Sequence, residues 1–512
     1  MQETKFHPVP LYIALFFMLF MVIFNYTLSI MASPYIVGEL GGSNDIATYS
    51  VSLYAIGNAL SIPLGKPLIA RIGSTRAVFL LLTLFAFFTL LCAISPTNPF
   101  FNAARTLQGF AAGPLYAVGF HLFSWLQPKE KRGLFSSISL MIFTTGPVIG
   151  ACWGGWVAYR WHWQWVFYLN VPLLLLLACF LRHSLKPLTE PAVPKKPFDA
   201  IGYLFYFVSI LSLSLAIILG QELDWLRSNT ILTLGAIGIP SLIFFILWEL
   251  NHDEPILDLK LLKRPVLSFA LFNLAVLFSL YFGIVILLSL WLKLWVNYTP
   301  NWIALLMGVM ALTAMFPMFL IDKRIARIDN RIFLALAIIF LIISSYHTMR
   351  FNVDIDFERI ATSRIFAGLG LALFLAPIFR LCFFALPSEE SMFKVLGLFQ
   401  VTRALSSGLG ASLYNVAWIR RQVFYRDRLG SRITAESAQT QEFFTQANTV
   451  GINGDHANAQ LEYYLQRESS SLALDDCFYL MVWILVGLLI TFAFTFLAKK
   501  GSFVTVETKA SP

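Results

Sequence analysis

The sequence predicts an all-α polytopic membrane protein with fourteen transmembrane helices. Three observations predict it. The 512 residues are 58% hydrophobic and only 13% charged, whereas an ordinary soluble domain is about 25% charged. Apolar runs of about 20 residues, the length that spans a bilayer, recur from end to end. Lys and Arg crowd into alternate short loops, as the positive-inside rule requires.

The runs lie near 10–32, 47–69, 77–95, 98–122, 133–157, 165–182, 200–220, 229–249, 265–291, 302–321, 332–348, 359–381, 395–417 and 474–497. Each is expected to be a helix, because backbone groups in hydrocarbon must be satisfied internally. The first run is too long for the core of a cleavable signal and is expected to act as its own targeting signal. The tightest connections fall between the third and fourth runs and between the fifth and sixth. The segment 418–472 is polar and long, and is expected to form helical pieces outside the membrane.

Orientation follows from charge. One set of loops holds Arg71 and Arg76; Lys129, Lys131 and Arg132; Arg182, Lys186, Lys195 and Lys196; Lys260, Lys263 and Arg264; and Lys323, Arg324, Arg327 and Arg331. The alternate set has only Arg160, Arg227, Lys293 and Arg350. The basic set is therefore expected to be cytoplasmic, and an even number of spans puts both termini inside. The net charge of +9 is spread between apolar runs and not along one soluble face, so it does not point to nucleic acid. Of the five cysteines none has C-x-x-C spacing, and four sit inside apolar runs. No phosphate-binding G-x-x-x-x-G-K-[ST], metal cluster or nucleophile–base pair points to an ATPase, a metal site or an enzyme.

A repeat runs through the chain. "IARIGSTRAVFL" at 69–80 returns as "IARIDNRIFL" at 325–334, and Arg105 followed by Gly109 returns as Arg364 followed by Gly368. The two offsets are close: 325 − 69 = 256 and 364 − 105 = 259. Duplicated halves of six helices are the expected cause, with the seventh and eighth runs inserted between them. The boundaries are then 1–183 for the first half, 184–264 for the inserted pair with its flanking loops, and 265–512 for the second half. Such halves commonly enclose a central site and rock about it. In the fifth run, Gly146, Gly150 and Gly154 share one helix face, where small residues allow close packing and sliding. Pro147 should bend that helix.

The chain resembles the 14-helix drug/proton antiporters of the major facilitator superfamily, and most closely the EmrB-like multidrug exporters. "RTLQGFAAGPLY" (105–116) is similar to the family's R-x-x-Q-G motif, and "GPVIGACWGGW" (146–156) to its antiporter motif, with Ala151 at a usual proline. "WQWVFYLNVP" (163–172) has Gln164 where the family has Arg, and "LFQVTRALSSGLG" (398–410) has Gln400 at an Asn. "GQELDW" (220–225) and "WELNHDEPILDL" (248–259) resemble the family around its inserted helix pair. "GKPLIARIG" (65–73) keeps Arg71 and Gly73 of the loop motif but has Ala70 at the acid. In the first helix, "NYTLSIMASP" (25–34) carries Asn25 where the family has Asp.

The resemblance implies the superfamily fold and a proton-driven exporter of amphipathic drugs or toxic small molecules in a bacterial inner membrane. It implies no cofactor beyond the proton gradient. A periplasmic adaptor and an outer-membrane channel are its implied partners, besides the small-molecule substrate and lipid. Arg105 and Gln108 are expected in the translocation path, because an intramembrane Arg is functional by default. Arg403 is its counterpart in the second half. Arg71 and Gly73, with Gly146, Pro147, Gly150 and Gly154, are the expected gating residues. Asn25 cannot take a proton. The remaining coupling candidates are Glu222 and Asp224, at the rim after the seventh run, and His121, whose imidazole belongs to the one side chain that ordinarily titrates near neutrality. Two other readings stay open: a transporter of an anionic siderophore or metabolite, drawn by an Arg105 without a counter-ion, and a non-transporting scaffold or sensor.

Overall fold

The structure is a computed structural model that describes residues 8–42, 46–126, 132–186, 197–325, 330–383, 389–434 and 436–497. Every regular element among them is a helix. The first expected run forms α1 (Pro8–Thr27) and, after a turn, α2 (Ser33–Leu40). The second forms α3 (Ile46–Ser61) and α4 (Gly65–Ile72), joined by a 3-10 turn. α5 (Ser74–Ala93) is the third, and α6 (Asn98–Ala112) with α7 (Pro114–Leu126) make the fourth. α8 (Arg132–Arg160) is the fifth, and α9 (Trp165–Tyr168) with α10 (Asn170–Leu185) the sixth. α11 (Ala200–Leu219) and α12 (Asn229–Asn251) are the inserted pair. The second half follows as α13 (Pro265–Leu294), α14 (Pro300–Ile325), α15 (Asn330–Thr348), α16 (Phe357–Phe383), α17 (Glu389–Gly430), α18 (Ala438–Thr449) and α19 (Asp455–Leu497).

Each of the fourteen runs thus lands on helix, but among the described residues ten helices are long and apolar enough to cross a membrane by themselves. The second, fourth and thirteenth runs fall short, and of the tenth the described apolar stretch is Pro300–Met315. The second and fourth are broken by Pro63 and Pro114, which lack a backbone donor. The fourth and thirteenth also carry the arginines and glutamines discussed below.

The polar segment 418–472 is less separate than expected. α17 continues through its start and α19 begins inside it. A helix of 42 residues, such as α17, is about 63 Å long at about 1.5 Å per residue. That is about twice the hydrocarbon core. Arg421 pairs with Asp476, and Arg426 with Glu462 at 2.7 Å, so the two projecting ends hold each other.

The repeat is visible in packing. Gly109 of α6 lies so close to α3 that a Cβ would strike the Tyr54 carbonyl, and Gly57 of α3 meets α6 in return. Gly368 of α16 abuts Met310 and Thr313 of α14 in the same way. The halves meet along two seams, α3 against α17 and α8 against α14. Ser52 donates to the Gly408 carbonyl at 2.7 Å in the first seam, and Cys152 Sγ lies 3.7 Å from the Ala304 carbonyl in the second. Tyr281 of α13 also reaches across, donating to the Thr144 carbonyl of α8 at 2.7 Å. The inserted pair leans on α3: Tyr206 donates to the Ala59 carbonyl at 2.7 Å.

Gly146, Gly150 and Gly154 do not face the other half. A Cβ on them would meet Ile23, the Phe24 carbonyl and the Leu28 carbonyl, all from α1 or the turn after it. The stripe seats α1 inside its own half, and Thr27 fastens it by donating to the Pro147 carbonyl at 2.5 Å. The surface of α8 that meets α14 is one residue over, at Cys152 and Gly155. The basic loop residues Lys129, Lys131, Lys195, Lys196 and Arg327 lie outside the described residues.

Candidate functional site: a buried arginine centre

Arg105 is fully buried between α1 and α3. The close approach at Gly109, one turn along α6, brings α6 against α3 at Tyr54. Its Nε donates to Ser50 Oγ at 2.9 Å, and Nη1 donates to Gln108 Oε1. Nη2 donates to the carbonyls of Asn25 at 3.0 Å and Tyr26 at 3.2 Å. The Tyr54 ring lies 4.7 Å from the guanidinium carbon. α1 ends at Thr27, so these carbonyls belong to its last turn, whose acceptors have no intrahelical donor. That end carries about half a negative charge. A helix terminus therefore stands where a carboxylate was expected.

The pairing of Arg105 with Asn25 is accordingly a backbone one. The Asn25 side chain donates to its own helix at the Met21 carbonyl, 2.8 Å away, and accepts from Gln108 Nε2 at 3.3 Å. Gln108 also donates to Thr89 at 2.7 Å. Asn25, Gln108 and Arg105 thus form one network, with Gln108 as the bridge. Each polar group in it has a partner, which is the condition for burying it cheaply.

Arg403 of α17 is 1% exposed and is held differently. Its Nε donates to Gln400 at 2.8 Å. The guanidinium carbon lies 4.9 Å from the ring centres of both Tyr116 and Phe143. Nη2 is buried without a hydrogen bond. Arg364, the repeat mate of Arg105, is also fully buried. It donates through Nη2 to Thr348 at 2.7 Å and Ser363 at 2.9 Å. Arg105 is linked through Tyr26 to α17, the helix that carries Arg403. The carbonyl of Tyr26 accepts from Arg105, and its hydroxyl reaches the Ala404 carbonyl at 3.1 Å and the Ser407 hydroxyl.

The other expected residues lie outside this centre. Glu222 accepts from Tyr49 at 3.1 Å, one residue from Ser50 but on the rim of α3. Asp224 precedes a one-turn 3-10 helix and has a left-handed backbone, φ 59°. His121 lies near the end of α7, its ring 5.9 Å from Phe393. Arg71 is exposed at the end of α4, and Gly73 ends that helix with φ 80°, a conformation that favours glycine.

Sequence reasoning missed several members. Ser50, Tyr54 and Asn58 are spaced at i, i+4 and i+8, a polar stripe on one face of α3, and that spacing could have revealed them. Tyr26 and Tyr116 gave no such signal. Asp475, in the middle of α19, is an acid absent from the expected set; its Oδ1 is buried without a partner. Among the described residues no group of three His, Cys, Asp or Glu side chains could hold a metal ion.

The sequence model of the Major Facilitator Superfamily matches residues 15–411. The multidrug export protein EmrB of Haemophilus influenzae is 27% identical over 500 residues, covering 96% of this chain and 98% of that protein. The fatty acid resistance protein FarB of Neisseria gonorrhoeae is 29% identical over 434 residues, 85% of each. Among solved structures, a bacterial homologue of the human lysosomal transporter Spinster, described as inward-facing and unoccupied, superposes with a TM-score of 0.62 at 12% identity. It covers 97% of this chain and 98% of its own. A peptide transporter crystallised with sulfate gives a TM-score of 0.57 at 15% identity, covering 95% and 97%. At these identities the structures speak to the fold.

Proposed function

The chain belongs to the Major Facilitator Superfamily, and on that premise we propose that it is an inner-membrane exporter of amphipathic small molecules that works by alternating access. The observation that carries the reading is the position of the polar centre. Arg105, Gln108 and Asn25 lie in one half, and Tyr26 joins them to Arg403's helix in the other. A substrate seated there touches both halves, so its binding can bias their relative position. The relatives named for multidrug export and fatty acid resistance support the substrate class.

Proton antiport is the proposed driving force. Arg105 is held by the carbonyls of a helix terminus in place of a carboxylate, which leaves Glu222, Asp224 and His121 as the proposed proton carriers of the expected set. The projecting ends of α17 and α19 with α18 form the surface proposed to meet a periplasmic adaptor. Dye accumulation should be measured in cells expressing the protein, with and without an uncoupler. Lower accumulation that the uncoupler restores is the expected result. Unchanged accumulation across a broad panel of amphipathic dyes would reject export.

A further inference from the structure

We propose that a groove on the membrane face of the first half binds an anionic phospholipid, with an acyl chain seated among α4, α5 and the α6–α7 junction and the lipid phosphate held by Arg71. The groove shares no residue with the arginine centre, and the lipid site does not depend on what is exported.

The groove encloses about 290 Å³. It lies beside two helix junctions. Leu64 and Pro67 line it from the α3–α4 junction, and Phe110 and Pro114 from the α6–α7 junction. Proline lacks a backbone donor and interrupts a helix, so the regular surface is broken at both places. Leu80, Leu81, Leu84 and Phe88 of α5 form a further wall. It runs about 12 Å from Leu80 to Phe88, at about 1.5 Å per residue. Leu80 and Leu84 are exposed, and α5 is long and apolar enough to cross a membrane. This helix packs on α6, α7 and α10 of its own half. The groove therefore opens toward hydrocarbon and not toward the seams between the halves. Phe198, just before α11, also lines it, so a chain seated there touches the first half and the inserted pair together.

Charge selects the occupant. Arg71 is the one charged residue among those lining the groove, and it is exposed at the end of α4. Among the described residues no acid pairs with it. Its chain neighbours are Ala70 and Ile72. From residue 46 to residue 186 the sequence has ten Lys and Arg against one acid, Glu130, so an anion meets little competition there. Arg76 is exposed in the first turn of α5, and Arg182 lies 4.4 Å from the Phe79 ring of the same helix. Basic residues grouped at a membrane surface attract anionic lipid, and a guanidinium can hold a phosphate through two parallel hydrogen bonds. An apolar wall with one cation at its end matches a phospholipid. A free phosphate would leave the wall unused, and a cationic amphiphile would be repelled.

The test uses the full-length protein in neutral detergent micelles and counts bound lipid by native mass spectrometry. The probes are dioleoylphosphatidylglycerol, dioleoylphosphatidylcholine and glycerol phosphate. Phosphatidylglycerol should bind at least about 10-fold more tightly than phosphatidylcholine, as expected for one charge-assisted contact. Glycerol phosphate should compete weakly, since it has the head without the tails. Arg71→Gln should bring the ratio of the two lipids close to one, and Arg71→Lys, which keeps the charge, should hold it at several-fold. Leu84→Trp, which fills the groove from its exposed edge, should weaken both lipids. Arg160→Gln, at the far end of α8, should change nothing. A ratio near one in the wild type would mean an unselective lipid belt and overturn the proposal. So would a ratio that survives Arg71→Gln, or one that Arg71→Lys loses as fully. Glycerol phosphate competing as well as the lipid would make free phosphate the ligand. Binding untouched by Leu84→Trp would remove the groove as the seat, and a ratio lost in Arg160→Gln would trace it to diffuse charge; each of these three results also overturns the proposal.

Discussion

Arg105 touches Asn25 through its backbone and not its side chain: Nη2 donates to the Asn25 carbonyl at 3.0 Å, while the Asn25 amide oxygen accepts from Gln108 at 3.3 Å. The helix end supplies the negative charge, and the amide completes the network. Replacing Asn25 by Leu removes an acceptor from Gln108 and leaves Thr89 as its remaining partner for that nitrogen. A loss of about 1–3 kcal/mol is expected, as for any buried polar group left short of a partner. A lower midpoint in thermal unfolding of the detergent-purified protein would register it.

Asn25→Asp should be tolerated in fold, because Gln108 can donate to a carboxylate as well. The new charge would face Arg105 and remove the net positive charge of the centre. Efflux of cationic dyes should rise several-fold relative to anionic ones in a paired efflux assay. An unaltered ratio would mean that the charge of this centre is not felt by substrate.

Arg105→Lys should not substitute. An ammonium has three donors at one point, whereas the guanidinium fork reaches α1, α3 and Gln108 at once. At least about 3 kcal/mol of stability should be lost, at about 1.5–3 kcal/mol for each charged hydrogen bond removed. Efflux should fall with it. A variant with wild-type melting and transport would show the network to be dispensable.

Gly154→Ala and Gly150→Ala should destabilise α1. Their Cβ atoms would collide with the Leu28 and Phe24 carbonyls, and backbone cannot move aside as a flexible side chain can. Overpacking of this kind costs about 1–3 kcal/mol. Gly308→Ala and Gly487→Ala meet nothing within 4 Å and should be neutral or gain a few tenths, by about the helix preference of Ala over Gly. Comparing the four melting temperatures checks the difference.

Tyr26→Phe and Ser52→Ala cut hydroxyl contacts between the halves, at Ala404 and Ser407 and at Gly408 and Ser412. Each should weaken the α1–α17 or α3–α17 contact by about 1 kcal/mol. The population with the seam open should grow about five-fold, and spin-label distances between α3 and α17 would report it.

The sequence by itself determined the helical class, the order of the runs and the duplicated halves. Hydrocarbon leaves the backbone no other choice, and the offsets near 256 and 259 survive in the pairs Gly109–Tyr54 and Gly368–Met310. It also singled out Arg105, Gln108 and Arg403, because charge and amides are conspicuous in an apolar run. Tertiary structure alone decided what those residues touch. The acid missing at Asn25 is answered by carbonyls of the same helix, and a carbonyl has no signature in sequence. The glycine face of α8 is fixed by spacing, but which neighbour it meets depends on how helices pack. Arg105 and Arg403 look alike in the chain. Only the packing of α1, α3 and α7 around them saturates one guanidinium and leaves the other with a free donor.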